Sequence, residues 1–416
     1  LGKNAICWMS WDRLAFDRAR GSARPVLVLA APTWVSGGPE GVRASLEEGC
    51  LGDLIGSQFV PIAADPEAVP QLQGYGLSEF PSVLVLDADG APLARLGALD
   101  GRLLREALPG IALGAVSAPR SAFQPMGSFR VPFVPDSDGD LERGLEALET
   151  IRGRVRGALR TEAFELGPTQ AKIEALRFLI RYSTYTAERE DVERAVDQLH
   201  SIAHSSFYDG VEGGFFGEVR SSGTGTHKLL RHNADWLILA LRICRLPGAE
   251  FALPLAKGIF HYLQHRLQRP GGGFAASQRA DEAYYALSGE ERRRISTPPS
   301  DPILYTTPNA LAVRAFCKGW RFLGEAAYLD QALATYEVLS SSVEGGDGSL
   351  AHACNGEPKG VGTLEDSVEM GQAYLGLYHA TLEPRFLEGL RRAAGRVAAE
   401  FRNPAGEGFL DLPLRS

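Results

Sequence analysis

The chain has 416 residues, 44% of them hydrophobic and 23% charged, and a formal net charge of −8 with a pI near 5.6. This is the balance of a globular protein with ample apolar material, sized for about two or three domains. The acidic charge argues against nucleic acid or an anionic membrane surface as partner, and no apolar run is long enough to span a bilayer.

The five cysteines, Cys7, Cys50, Cys244, Cys317 and Cys354, are odd in number and widely spread. That is neither a disulfide framework nor a zinc site, so buried apolar thiols in a reducing, cytoplasmic compartment are expected, with no metal and no cofactor. The opening LGKNAICWMSWDR lacks the basic-then-apolar layout of a signal peptide.

In chain order, WDRLAFDRARGSARPVLVLAAP reads as an amphipathic helix, a polar turn and a buried strand after Pro25. QFVPIAAD supplies a second strand. PSVLVLDADGAPLARLG supplies a third, a turn at Ala88-Asp89-Gly90 and a fourth, and GRLLREALPGI makes a closing helix. This α/β order over residues 1–115 resembles the thioredoxin fold. A proline entering an apolar strand is otherwise unusual, because it removes a ladder donor; the resemblance implies that Pro81 is a cis-proline. It also implies a Cys-x-x-Cys turn opening a helix whose N-terminus lowers the first thiol's pKa. Here that turn is Trp34, Val35, Ser36 and Gly37, without a thiol, and Cys50 lies well downstream. Ser36 has no local base to activate it. A thiol–disulfide oxidoreductase is therefore excluded.

PRSAFQPMGSFRVPFVPDSDGD is rich in Pro, Ser and Gly and has no helical period, so residues 116–138 read as a linker. From 139 to 416, amphipathic helices are predicted near 139–160, 169–185, 189–206, 228–246, 250–268, 306–323, 325–342, 365–381 and 384–402. Short turns join helices into pairs, and the loops between pairs repeat a glycine theme: EGGFFGE, GGGFAAS, GGDGSLAH and GEGFLDL. Helical hairpins alternating with such loops predict a toroid of stacked pairs, an (α/α) barrel or an α-solenoid. The clustering of Gly, aromatic and acidic residues favours the barrel, its loops gathered around a pocket at one mouth. Each Gly-Gly-Phe also reads as a plain turn with an aromatic plug. About five pairs are counted, one short of an (α/α)6-type ring.

Both halves together resemble the thioredoxin-domain family related to mammalian spermatogenesis-associated protein 20. The resemblance runs through NAICWMSWDRLAFDRARGSARPVLVL, RHNADWLILALRI, GGGFAASQRADEAYYAL, LYTTPNALAVRAF and LEDSVEMGQAYLGLYHAT. It implies a thioredoxin-like α/β domain followed by an all-α barrel similar to N-acylglucosamine 2-epimerases and six-hairpin glycosidases. The departures are specific. The family's Cys-His-Trp-Cys is replaced by Trp34-Val35-Ser36-Gly37. Two acidic positions of its Glu-Lys-Met-Leu-Tyr-Asp-Asn-Ala segment are His227 and His232, and a carboxylate of its Asp-Ala-Asp is Arg279. Its Asp-Gln-Ala or Asp-Tyr-Ala is Asp366-Ser367-Val368, keeping only the Asp.

Sugar chemistry in such a barrel needs groups able to move protons, a carboxylate pair for glycoside cleavage or a His pair beside a carbonyl. Candidates are Glu212, Glu218, His227, His232, Asp235, Asp281, Glu282, His352, Glu365 and Asp366. On one helix His227 and His232 would point about 140° apart, too divergent to share a metal. His232 and Asp235 could meet on one face. Asp281 and Glu282 beside Tyr284 and Tyr285 suit a sugar site or a helix cap with aromatic packing. Asn309 and Asp366 carry the same two readings, with capping favoured for Asn309. Three functions stay open. The first is a carbohydrate-like ligand-binding or scaffold protein with a redox-dead thioredoxin-like module. The second is an active sugar epimerase or glycoside hydrolase. The third is a protein-interaction platform. The partner is accordingly a sugar derivative or another protein. The loss of acidic positions favours the first.

Overall fold

The computed structural model describes the chain except residues 1–5, 34, 36–37, 48, 67, 76, 78–79, 97–100, 113–137, 161–168, 187–188, 218, 221–222, 347, 405, 407 and 415–416. It divides into two compact units, Leu1–Phe133 and Val134–Ser416. The linker expected over 116–138 lies outside the described residues as far as position 137.

In the first unit, helix α1 (Arg13–Ser22) opens on Asp12, whose carboxylate accepts from the Ala15 amide, and it buries Ala15 and Ala19. Strands β1 (Val26–Ala30) and β3 (Ser82–Leu86) are buried along their whole length, as central strands covered on both faces must be. The sheet order is β2-β1-β3-β4. β2 (Val60–Ala64) runs parallel to β1, while β3 is antiparallel to both β1 and β4 (Pro92–Leu96). A parallel pair needs a long crossover. Helices α2 (Gly38–Leu46) and α3 (Gly49–Gln58) provide it, and α4 (Gly101–Ala112) follows β4. At the turn of residues 88–90, the Asp87 carboxylate accepts from the amides of Asp89 and Ala91. Tyr75 donates its hydroxyl to the Gly90 carbonyl at 2.9 Å. The Phe80–Pro81 peptide is cis. Of the four-residue turn lacking thiols, Trp34, Ser36 and Gly37 lie outside the described residues and Val35 is buried.

The second unit begins with a single helix, α5 (Asp138–Ala158), followed by four hairpins. These are α6 (Thr169–Thr186) with α7 (Arg189–Ala203), α8 (Leu230–Ile243) with α9 (Ala252–Tyr262), α10 (Thr306–Leu323) with α11 (Ala326–Val343), and α12 (Leu364–Thr381) with α13 (Pro384–Glu400). Four hairpins and a lone helix thus stand, among the described residues, where about five pairs were expected. Asp191 of α7 is fully buried and ties α5 on, accepting from Arg152 at 2.7 Å and Arg156 at 2.5 Å. The first helices of the hairpins pack in the row α6, α8, α10, α12. α8 and α10 are buried over most of their length, so this row is the inner layer and the second helices cover it. The continuous core includes Trp236, Phe274, Phe316 and Tyr328.

The glycine loops are one device used four times. After each outer helix the chain doubles back through an isolated bridge: Tyr208 with Phe215, Gln268 with Phe274, Glu344 with Leu350, Arg402 with Phe409. Phe215 and Phe274 are fully buried, so the plug reading holds for both and neither ring lines a pocket. Gly214 has φ 80°, and a Cβ there would stand 2.5 Å from Cδ1 of Tyr262; glycine meets both demands. Cys317 and Cys354 are buried, but Cys7 is exposed and Cys244 half-buried, because their segments lie at the rim of the packing. Among the described residues no helix is long and apolar enough to cross a membrane.

Candidate functional site

The sequence candidates separate into three groups. In the first, side chains lock the glycine loops to the inner helices. Asn309 sits in the first turn of α10. Its Oδ1 accepts from the Phe274 amide at 2.8 Å, and its Nδ2 donates to the carbonyls of Phe274 and Tyr305 at 3.0 and 2.9 Å. It therefore clamps the loop and does not cap a helix. Asn233 repeats this on α8 with Phe215 and Leu229, at 2.6, 3.0 and 2.9 Å. His227 precedes the short strand Lys228–Leu229 and is not on a helix, so no helical angle relates it to His232. Its ring fills the space beside Gly217, where a Cβ would come within 1.9 Å of Nε2.

Beneath these loops Lys228 is sealed from solvent. Its ammonium donates to Asp209 at 2.7 Å and to the Gly213 carbonyl at 2.8 Å. It lies 4.5–4.8 Å from the ring centres of Phe216, Tyr262 and Tyr285. Burial pulls Lys228 down to about 8 against the attraction of Asp209. Burial pushes Asp209 the other way, but Lys228 and Arg292 outweigh it and hold the carboxyl below its ordinary value. Tyr284 donates to Glu212 at 2.6 Å, and Arg266 reaches the same oxygen at 2.7 Å. Tyr285 donates to Gln278 at 2.8 Å. Asp281 caps the short helix Glu282–Tyr285, accepting from the Tyr284 amide, and Glu282 is exposed. Asp281, Tyr284 and Tyr285 thus each have a hydrogen-bond partner inside the fold. Glu218 lies outside the described residues.

The second group surrounds Asp366, which is fully buried. Oδ1 accepts from the amide and hydroxyl of Thr307 at 3.1 and 2.7 Å. Oδ2 accepts from the amide and hydroxyl of Thr363, both at 2.9 Å, and lies 2.7 Å from His352 Nδ1. Asp366 thereby completes the capping box of α12 and binds it to α10 and the strand Ala351–Asn355. With every lone pair engaged, it serves as a tether.

The third group lies between the inner helices and was only half visible in the sequence. Asp235 on α8 is buried and accepts from Arg177 of α6 at 2.6 Å. Nη2 of Arg314, on α10, stands 4.0 Å from Asp235 and 3.4 Å from Oε2 of Glu369 on α12. One guanidinium therefore lies between two carboxylates from different helices. Burial, reinforced by Asp235 and opposed by Arg314, pushes the Glu369 carboxyl above its ordinary value. Glu369 Oε2 and Arg314 Nε are both buried without a hydrogen-bond partner among the described residues, which leaves polar capacity for a ligand or water. Beside them Arg231 pairs with Glu365. Burial and then Arg231 pull the His232 imidazole down to about 4, so it is neutral near pH 7. The group therefore places a carboxyl raised above its ordinary value beside a second one fixed by Arg177. Among the described residues no cluster of His, Cys, Asp and Glu could hold a metal ion.

Sequence reasoning singled out His232, Asp235 and Glu365 but missed Arg177, Arg314 and Glu369. Glu365 and Glu369 are one helical turn apart, and that spacing, which puts both on one helix face, was the available signal.

No protein-family model matches the chain, and no curated protein matches it. Similar solved structures include that of a UGL variant with dGlcA-Glc-Rha-Glc, at TM-score 0.51 and 15% identity over 66% of this chain and 73% of that one. An alpha-mannanase of family GH76 from Bacteroides thetaiotaomicron aligns at TM-score 0.46 and 14% identity, over 59% and 62% of the two chains. Cellobiose 2-epimerase from Spirochaeta thermophila aligns at 0.41 and 20%, over 53% and 58%. The chain thus spans less than two thirds of the length of these last two. At such identities the likeness is one of fold: the helical unit has the α/α-toroid architecture, and its neighbours are glycoside hydrolases and epimerases.

Proposed function

We propose that the helical unit is a carbohydrate-active enzyme, a glycoside hydrolase or epimerase, working between the inner helices with Glu369 as proton donor and Asp235, held by Arg177, as the second carboxyl group. The observation that carries this is the divergence of the two environments: one carboxyl raised by burial, the other held by Arg177 at 2.6 Å. The raised member, Glu369, is the one suited to donate a proton. Two oxygens 4.0 and 3.4 Å from one Arg314 nitrogen are at most about 7.4 Å apart, which does not exceed the roughly 9.5 Å upper limit for glycoside cleavage. This reading is preferred to ligand binding or scaffolding because neither role needs two carboxyl groups from different helices converging on one arginine. The first unit we read as a thioredoxin-like domain without redox chemistry. Its strand order and mixed strand directions support that reading, and relation to the spermatogenesis-associated protein 20 family is proposed with it.

The test is turnover of a panel of neutral and uronate-containing oligosaccharides followed by NMR of the reducing end. Glu369→Gln and Asp235→Asn should each lower kcat by about 10²-fold or more with an unchanged Tm. In the wild type, kcat should fall as pH rises through the raised Glu369 value, since the acid is then lost. Turnover that survives Glu369→Gln rules the assignment out.

A further inference from the structure

The inner helices line an open pocket of about 290 Å³ whose walls come from α6, α8, α10 and α12. Six of its lining residues are cations: Arg177, Arg181, Arg242, Arg314, Lys318 and Arg321. Arg177 and Arg314 lie at its inner end and are engaged with Asp235, Glu174 and Glu369. The other four have no carboxylate partner among the described residues. They occupy the later turns of α6, α8 and α10, toward the short hairpin turns and away from the glycine loops. Uncompensated charge at this density is unusual in a chain of net charge −8. It is also costly. Burial and the neighbouring arginines pull both Lys318 and Arg242 below their ordinary values.

A site that bears such repulsion when empty is relieved by an anion. Arginine forks match phosphate oxygens in pairs. Four unneutralised cations exceed what one monoanion balances, which favours a dianion. The volume lies at the small end of the roughly 300–1,000 Å³ typical of ligand pockets, which suits a small molecule and excludes a polymer.

We infer that this pocket is a binding site for a small phosphate monoester, held by Arg181, Arg242, Lys318 and Arg321. It goes beyond the carbohydrate reading and does not depend on it, because phosphate binding is measurable whether or not any saccharide is turned over.

The experiment is thermal unfolding and calorimetric titration of the full chain. Inorganic phosphate, glucose 6-phosphate, glucuronate and glucose are each compared with sodium chloride at equal ionic strength. Phosphate and glucose 6-phosphate are expected to raise Tm by about 4 °C or more at saturation, glucuronate less, and glucose not at all. The double variant Arg242→Gln, Lys318→Gln should lose this response. In chloride it should unfold no lower than the wild type, because a repulsion has been removed. If the double variant does not fold, Arg181→Gln with Arg321→Gln, both at exposed positions, must weaken phosphate binding at least fivefold. A response no larger than that to chloride, a response to glucuronate alone, or one that survives these substitutions overturns the inference.

Discussion

Asn233 and Asn309 illustrate how much a single amide can hold. Each satisfies both backbone groups of a buried phenylalanine in a neighbouring loop and the carbonyl four residues before itself. An alanine leaves a buried amide and carbonyl unpaired, and each such group costs about 1–3 kcal/mol. Asn233→Ala should therefore destabilise the helical unit by about 2–4 kcal/mol in urea unfolding. A cost under about 0.5 kcal/mol, the range of an ordinary surface change, would mean that the clamp does not form. Asp366 belongs to the same class of residue, since its oxygens are saturated by threonines and His352. Glu369 is the counter-example. Its buried Oε2 has no hydrogen-bond partner among the described residues beyond the 3.4 Å ion pair with Arg314, and it could be identified only once α10 and α12 were side by side.

At the scale of elements, the glycine loops set the spacing between one hairpin and the next. Gly214 and Gly248 both have positive φ, 80° and 75°, but only Gly214 faces a wall. A Cβ there meets Tyr262, whereas at Gly248 nothing lies within 4 Å. Both alanine variants bear the left-handed backbone cost of about 1–2 kcal/mol, and Gly214→Ala adds overpacking of about 1–3 kcal/mol. The difference between their unfolding free energies checks whether the loop is packed as described; equal costs would argue against it. Helix positions were legible along the chain because the 3.6-residue apolar period and the glycine stops are local. The start of α8 was read two residues early. The segment at Lys228 pairs with Ser277–Gln278 as a strand, a contact that no local pattern announces.

At the scale of the whole molecule, the first unit carries no thiol in the turn after its first strand. The full chain should accordingly give no insulin reduction with dithiothreitol above the uncatalysed rate, and measurable turnover would contradict the redox-dead reading. Helical hairpins were expected from the element order; four of them and a lone helix stand among the described residues where about five pairs were counted.

What the amino-acid sequence determined by itself was everything governed by near neighbours: helix periods, the turn at residues 88–90, the paired hairpins and the absence of a redox pair. Only the tertiary structure decided which polar residues are spent and which are free to act. Asp281, Tyr284, Asn309 and Asp366 are engaged within the fold as cap, hydrogen-bond partner, clamp and tether. Arg177 and Asp235 are 58 positions apart and meet at 2.6 Å. The cations at Arg177 and Arg181, and at Arg314, Lys318 and Arg321, come together on one pocket only through helix packing. The physical reason is that an ionisable group's role is set by its burial and its partners. Both are fixed by packing between helices that lie far apart along the chain.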